Sequence, residues 1–333
     1  RLTSRKLLLL VGLIASWLSA SGYFLHQRAK HRRVEATRQS LWDSVNNRVD
    51  QQQSFLLLPP NNDGFPLPDW KSIVKGHELT NNIISDTEYI RLLYARVDRR
   101  RDLFDPRFNH TQMHMLIKLF WLVDDFCREH NIVYFMYGST LIGSYRHHGL
   151  VPWDDDIDIM VPIAERDRFV YLLRTRAKHL RLYTWAHHWK LWSPDTTVKL
   201  LFRNYGWPFV DLFFYGENST HILEMDPNYN GLAYKKEHVL PLHYRPFMGR
   251  WLPAPRDTAK FLVLTYRDPD GCHSAYFYHD VEKMAKRKQK TRCEMLAKRF
   301  PFALKSLPSS TLENGMTGLV ETLYISDRPL YSV

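Results

Sequence analysis

The chain has 333 residues, of which 44% are hydrophobic and 14% aromatic, enough to fill the core of one large domain or two small ones. Two segments hold more positive charge than the formal net charge of +11 for the whole chain: residues 1–33 carry seven Lys and Arg and no acid, and residues 281–305 carry nine against two acids. The rest of the chain is therefore slightly acidic, which argues against a nucleic-acid-binding surface there, and we expect no nucleic-acid partner.

The N-terminal region contains one long apolar segment, Leu7–Leu25, which has 19 residues and no charge. As a helix it would be about 28 Å long, close to the thickness of a bilayer core. We predict a membrane-spanning signal anchor at residues 7–25 after a short cytoplasmic tail at residues 1–6. A cleaved signal peptide is the alternative, because Ala20-Ser21-Gly22 is a possible cleavage site. Basic residues flank both ends, so charge alone leaves the orientation open.

Residues 26–105 are mostly polar and predict a stem, with a possible helix at Ile83–Val97. Two glycosylation sequons, at Asn109 and Asn218, support a single-pass type II glycoprotein whose folded domain lies in the lumen of the Golgi or the ER. Of the three cysteines, Cys127 is predicted to be a buried free thiol, so at most one bridge forms, Cys272 with Cys293.

A folded domain is predicted at residues 106–300, and its first helix carries an apolar stripe from Met115 to Cys127. Asp124 and Asp125 fall outside that stripe and are predicted to be solvated. His110 and His114 are one turn apart, but no third ligand is near them in the sequence, which disfavours zinc.

A glycine-serine turn follows the predicted strand Ile132–Met136. Gly138 allows a backbone or a phosphate to approach closely, and the Ser139 and Thr140 hydroxyls, with the first amides of a short helix, are candidate phosphate donors. Arg146 and His147 are predicted to reach back from the next loop and add donors. A surface ion pair is the alternative for Arg146.

Alternating aspartates come next. In a strand at residues 156–161, Asp156 and Asp158 project from one face, while Ile157 and Ile159 enter the core. Two carboxylates on one strand face repel each other unless a cation lies between them, and hard oxygen ligands suit Mg²⁺ or Mn²⁺. Asp154 has the same parity and is a candidate ligand or base. Asp155 points the other way.

Three other interpretations of the aspartates exist. A solvated acidic turn is disfavoured because Ile, Met and Val interleave with them. An EF-hand loop is disfavoured because Ile159 stands where that loop needs glycine. A glycosyltransferase that holds a nucleotide sugar through an Asp-x-Asp motif remains an alternative, although such an enzyme would not require the glycine-serine turn.

Two more strands, Thr197–Phe202 and Pro208–Tyr215, are predicted to form an antiparallel pair. Asp211 lies among apolar residues of the second strand, where an unpaired carboxylate would be costly. A bound metal would remove that cost. A buried salt bridge to Lys199 or Arg203 is the alternative.

The segment from Tyr137 to Pro162 resembles the LicD family, which includes fukutin and fukutin-related protein, and Gly138-Ser139 with Asp156-x-Asp158 resembles the nucleotidyltransferase signature. Two later segments agree. Phe209–Phe213 is similar to the strand that carries the third acidic residue of the family, and Phe247–Asp268 is similar to its closing pattern, with Tyr266-Arg267 in place of the usual Tyr-Gly.

This resemblance implies an α/β (α+β) fold in which a mixed β-sheet is flanked by helices. It also implies transfer of a phosphate-linked group from a CDP-activated donor, such as CDP-choline or CDP-ribitol, to a hydroxyl of a glycan acceptor. The predicted catalytic residues and metal ligands for Mg²⁺ or Mn²⁺ are Asp154, Asp156, Asp158 and Asp211. A catalytically inactive lumenal scaffold is the competing class.

The C-terminal part shows no further motif. The basic tract Lys283–Lys305 is predicted to be a solvated helix that alternatively contacts anionic lipid or an acidic acceptor glycan. Residues 301–333 are predicted to be a tail.

Overall fold

The computed structural model describes residues 70–73, 83–95, 102–185, 188–195, 198–199, 203–226, 232–306 and 320–333. The predicted membrane anchor and most of the predicted stem lie outside these residues. Among the helices that are described, none combines the length and the apolar character needed to cross a membrane.

The helices are short except for the first one of the predicted domain. They are α1 (Asp86–Tyr94), α2 (His110–Glu129), α3 (Gly138–His147), α4 (Arg166–Arg176), α5 (Lys236–Val239) and α6 (Thr258–Tyr266). The Asn109 side chain caps α2 by accepting from the Gln112 amide, and the Gln112 side chain accepts from the Asn109 amide, which satisfies two free N–H groups.

Seven strands form the main sheet, in the order β1-β2-β7-β4-β3, with β8 added beside β7 and β9 beside β8. Their bounds are β1 (Phe135–Met136), β2 (Ile157–Pro162), β3 (Arg181–Trp185), β4 (His188–Trp192), β7 (Val210–Glu217), β8 (His221–Glu224) and β9 (Ala233–Lys235). Strands β2 and β7 run parallel and the other pairs run antiparallel. The mixed α/β architecture expected from the sequence is therefore present.

The remaining strands form smaller sheets. They are β5 (Val198–Lys199) with β6 (Gly206–Trp207), β10 (His243–Phe247) with β11 (Arg250–Ala254), β12 (Gly271–His273) with β15 (Lys290–Arg292), β13 (Phe277–Tyr278) with β14 (Lys283–Met284), and β16 (Phe302–Ser306), β17 (Val320–Ile325) and β18 (Arg328–Ser332) together.

The predicted pairing of the strand that carries Asp211 is wrong. Strand β7 lies between β2 on one side and β4 and β8 on the other, whereas β5 pairs with β6. All eight residues of β7 are buried, as expected for a strand in the middle of a sheet rather than in a two-stranded hairpin.

The predicted tail and basic helix are also different in the structure. Residues 302–306 and 320–332 form a three-stranded sheet, and the basic tract contains β14, β15 and a short turn of helix at Cys293–Met295. Its lysines are exposed except for the half-buried Lys305, and no residue between Ala285 and Leu296 is buried, so this stretch offers no continuous apolar face for a helix.

The packed domain begins before residue 106, since Tyr89, Ile90 and Leu93 of α1 belong to the hydrophobic core.

Asp124 is another correction: it is fully buried, and it accepts hydrogen bonds from Arg128, Tyr134 and Arg250. Asp125 is exposed as predicted. Cys127 is buried and free, and Cys272 is bonded to Cys293, so both cysteine predictions are confirmed.

Candidate metal-binding active site

Strands β2 and β7 bring the predicted acidic residues together. Because the two strands are parallel neighbours, Asp158 and Asp211 lie side by side in register, and Asp156 immediately precedes β2. One carboxylate oxygen from each of Asp156, Asp158 and Asp211 lies within 4.8 Å of the other two. The three residues are 4%, 8% and 5% exposed, so their charges are largely removed from water.

The glycine-serine turn holds Asp158 directly. The Ser139 amide and hydroxyl donate to Asp158 Oδ2 at 3.2 and 3.0 Å, and the Asp158 amide donates to the Thr140 hydroxyl at 2.7 Å. Gly138 has a φ of +53°, and a Cβ atom there would lie 2.4 Å from Asp158 Oδ2. The group that approaches Gly138 closely is therefore the Asp158 carboxylate and not a phosphate. Ser139 and Thr140, which were predicted to bind a phosphate, form hydrogen bonds with Asp158 instead.

Two cationic residues that sequence reasoning missed also enter the site. Lys190 stands opposite Asp211 on β4, and its Nζ lies 2.8 and 3.0 Å from the two Asp211 oxygens. It also lies 3.7 Å from the centre of the Phe209 ring. Of the two predicted partners of Asp211, Arg203 forms an ion pair with Glu282 instead, with 3.5 Å between Nη2 and Oε2. The side chain of Lys199 lies outside the described part of the structure.

His279 is the second missed residue, and it comes from the connection between β13 and β14. Its Nδ1 lies 2.7 Å from Asp155 Oδ1, and its Nε2 lies 3.3 Å from Asp156 Oδ2. Burial alone would lower the pKa of His279, but the carboxylates of Asp156 and Asp155 outweigh it and raise this pKa to about 10.

Burial and mutual repulsion raise the pKa values of the clustered carboxyl groups. Burial, followed by the charges of Asp211 and Asp154, raises the pKa of Asp158 to about 7. Burial and the charge of Asp155 raise the pKa of Asp154 to about 6, and burial raises the pKa of Asp156 as well. These shifts all disfavour the ionised forms.

Lys190 and His279 do not balance the acidic residues. Five aspartates converge here, namely Asp154, Asp155, Asp156, Asp158 and Asp211, and the two cationic side chains offset only part of their charge. In addition, Asp154 Oδ2 is a buried atom that accepts no hydrogen bond from the described part of the chain. An oxygen-rich, electron-rich site of this kind fits a hard divalent cation.

The structure does not bring Arg146 and His147 to the carboxylates. They lie at the other end of α3 from Gly138, about 12 Å along the helix axis. Arg146 donates to the carbonyl of Gly271, and His147 Nδ1 donates to the carbonyl of Pro301. Burial lowers the pKa of Arg146 to about 10 and that of His147 well below its ordinary value. Neither residue is a surface ion pair.

The mixed sheet, the glycine-serine turn and the paired carboxylates thus meet at one acidic site. The chain contains a LicD family domain: residues 131–257 match the family model described as LicD/FKTN/FKRP, nucleotidyltransferase domain. The family resemblance seen in the sequence is thereby confirmed.

Comparison with curated proteins finds two relatives. The lipopolysaccharide cholinephosphotransferase LicD of Haemophilus influenzae is 30% identical over 151 residues, which cover 41% of this chain and 54% of that protein. An uncharacterised protein of Rickettsia typhi is 29% identical over 101 residues, covering 28% of this chain and 31% of the relative. The chain thus spans about half the length of the first relative and a third of the second.

Among solved structures, the lincosamide antibiotic adenylyltransferase LnuA with bound lincomycin is similar to this chain. The two are 14% identical, and the match covers 45% of this chain and 87% of that chain with a TM-score of 0.31.

Proposed function

We propose that this protein is a metal-dependent transferase that moves a phosphate-linked group, of the phosphocholine or ribitol-phosphate type, from a CDP-activated donor to a hydroxyl of a glycan. The observation that carries the proposal is the convergence of Asp156, Asp158 and Asp211 from two parallel strands in a LicD family domain. The cholinephosphotransferase activity named for the Haemophilus influenzae relative agrees with transfer of this kind.

The residues that would hold Mg²⁺ or Mn²⁺ are Asp156, Asp158 and Asp211, with Asp154 as an additional ligand. When bound, such a cation supplies charge stabilisation for the donor phosphates and the departing CMP. Ser139 orients Asp158 through two hydrogen bonds, so this carboxylate is held in place before any ligand binds. Lys190 neutralises Asp211 and provides an ammonium group that a donor phosphate can also contact.

Asp154 is the proposed base for the acceptor hydroxyl, and a ligand of a second metal ion is its alternative role. Its Oδ2 faces the interior of the site and accepts no hydrogen bond from the described residues, so it is the oxygen that we assign to this role. With a pKa of about 6 it is mostly ionised at neutral pH and basic enough to take up a proton.

We further propose that the domain lies in the lumen of the Golgi or the ER, attached to the membrane as a type II protein by the anchor predicted at residues 7–25. The Cys272–Cys293 disulfide supports an oxidising compartment. Of the two sequons, Asn109 is exposed, whereas Asn218 is buried and accepts hydrogen bonds from the amides of Thr220 and His221. Asn109 is therefore the better candidate for glycosylation.

A release assay tests the proposed reaction. The protein is incubated with CDP-choline, CDP-ribitol, UDP-sugars and GDP-sugars, together with candidate glycans and Mg²⁺ or Mn²⁺. We expect CMP release with a new phosphodiester on the glycan, its loss in EDTA, and its loss in Asp158→Asn but not in Asp167→Asn, which alters an exposed aspartate on α4.

Other results would refute the proposal. UDP or GDP release would identify a glycosyltransferase. Absence of cation-dependent binding of any cytidine nucleotide would identify a scaffold without the activity.

A further inference from the structure

His279 is held in place by Asp155 more tightly than an ion pair alone requires. The Asp155 carboxylate accepts from the His279 ring at 2.7 Å, from the His279 amide at 2.9 Å and from the Asp280 amide at 3.4 Å. Asp155 is fully buried, and both of its oxygens are used in these bonds. Asp155 therefore orients the imidazole through Oδ1 and holds the backbone on both sides of it through Oδ2.

Two aromatic rings fix the plane of the same imidazole. Phe209 packs against it with a centroid distance of 5.5 Å and an interplanar angle of 89°, and Phe277 packs at 4.9 Å and 60°. With Nδ1 bound to Asp155 and the ring plane fixed, Nε2 points to Asp156, 3.3 Å from its Oδ2. The histidine is thus preoriented toward the carboxylates of β2 and β7.

This is the arrangement of a metal-ligating histidine, in which one ring nitrogen donates to a carboxylate and the other faces the ion. Asp156 belongs both to the cluster with Asp158 and Asp211 and to a second cluster with Asp155 and His279. In the second cluster Asp155 holds the imidazole through Nδ1, and His279 is the member whose other ring nitrogen faces Asp156.

We infer that His279 Nε2 is a ligand of the cation held by Asp156, that Asp155 is its positioning residue, and that the nitrogen ligand makes the site favour Mn²⁺ over Mg²⁺. The inference rests on the proposed function, because it assumes the cation of that site. Imidazole is a preferred ligand of transition metals, whereas Mg²⁺ favours oxygen. Any proton on Nε2 is released to solvent when the bond to the ion forms.

The competing interpretation is that His279 is only a fixed positive partner of Asp156. Pulsed electron paramagnetic resonance of the full chain loaded with Mn²⁺ separates the two, because a coordinated imidazole produces a nitrogen coupling. We expect this coupling in the wild-type protein and in His273→Gln, which alters an exposed histidine in the same disulfide-closed loop. We expect it to be lost in His279→Gln.

Binding constants from calorimetry provide the second measurement. We expect His279→Gln to weaken Mn²⁺ binding by at least about 10-fold and Mg²⁺ binding far less, and Asp155→Asn to weaken Mn²⁺ binding by about 10-fold to 100-fold. Wild-type protein that binds Mn²⁺ without a nitrogen coupling would overturn the inference and leave the proposed function standing. Wild-type protein that binds neither ion, with or without a cytidine nucleotide, would overturn both.

Discussion

Lys190 and Asp211 stand opposite each other on neighbouring strands, and the lysine Nζ lies 2.8 and 3.0 Å from the two carboxylate oxygens. Both side chains are 7% exposed, so the pair is buried. The Lys190 ammonium group is thus bonded to the Asp211 carboxylate, which we propose as a ligand of a divalent cation. A cation that reaches Asp211 must therefore share this carboxylate with Lys190.

We predict that Lys190→Met destabilises the protein in the absence of divalent cations. Removing one partner of a buried ion pair leaves an uncompensated charge and costs about 3–5 kcal/mol. Added Mn²⁺ is expected to restore part of the loss, because the ion compensates the carboxylate and stabilises the folded state by binding to it. Urea unfolding in EDTA and in Mn²⁺ measures both effects.

Lys236→Met is the matched control for this experiment. Lys236 forms a 2.6 Å ion pair with Glu217, which is buried but lies outside the acidic cluster. We expect Lys236→Met to lower the free energy of unfolding by the same amount in EDTA and in Mn²⁺. Equal rescue of the two variants would contradict a role of Lys190 at the cation site.

Gly138→Ala is predicted to disturb Asp158. Its positive φ disfavours any residue with a Cβ atom by about 1–2 kcal/mol, and the new atom would lie 2.4 Å from Asp158 Oδ2. We expect weaker Mn²⁺ binding by calorimetry in addition to lower stability. Gly216→Ala, where the nearest atom is the Met225 sulfur at 3.3 Å, is the control and should leave Mn²⁺ binding unchanged.

The disulfide is predicted to hold the loop that carries His279. Cys272 and Cys293 are 21 residues apart, and closing a loop of this length stabilises a protein by about 3 kcal/mol. Guanidinium unfolding with and without a reductant should show a loss of this size in the wild-type protein and none in a Cys272→Ser, Cys293→Ser double variant. An unfolding curve unaffected by the reductant would show that the bridge contributes nothing.

Glu321 is predicted to give the stability a defined pH dependence. It bonds to Arg245 at 2.9 and 2.6 Å and to His148 at 3.0 Å. Burial opposes ionisation, but Arg245 and His148 outweigh it and hold the pKa of Glu321 well below its usual range. A carboxyl with a lowered pKa in the folded state adds stability above its unfolded pKa of about 4.5, and this contribution is lost as the pH falls.

Glu321→Gln should therefore reduce the free energy of unfolding by about 3 kcal/mol at neutral pH. The difference from the wild-type protein should shrink as the pH falls below about 4.5. Urea unfolding across this pH range measures it. A difference that does not change with pH would mean that the contribution of Glu321 is not that of its charge.

The acidic centre was predictable because the patterns that indicate it lie within single short segments of the sequence. Alternation along one strand places Asp156 and Asp158 on the same side, and a carboxylate among apolar residues marks Asp211 as a buried charge that needs a partner. The glycine-serine turn was predictable for the same reason. Its role was not, since the group that approaches Gly138 is Asp158, which is 20 residues further along the chain.

Lys190 and His279 were not predictable because both depend on contacts between distant segments. Lys190 lies in an aromatic-rich segment, and only the insertion of β4 beside β7 places it on Asp211. His279 has no motif around it and reaches the site from more than 100 residues away. The burial of Asp124 was not predictable for the same reason. Its position off the apolar stripe predicts exposure to solvent, but Arg250 and Tyr134 bond to it and cover it.

In the proposed site, carboxylates from the β2 and β7 region hold a divalent cation beside a cytidine nucleotide. Anomalous diffraction from crystals grown with Mn²⁺ and CMP tests it most directly. We predict a manganese peak bonded to Asp156, Asp158 and Asp211, with the CMP phosphate next to it. Ordered CMP with no peak among these three residues, and with Lys190 still paired to Asp211, would contradict the account.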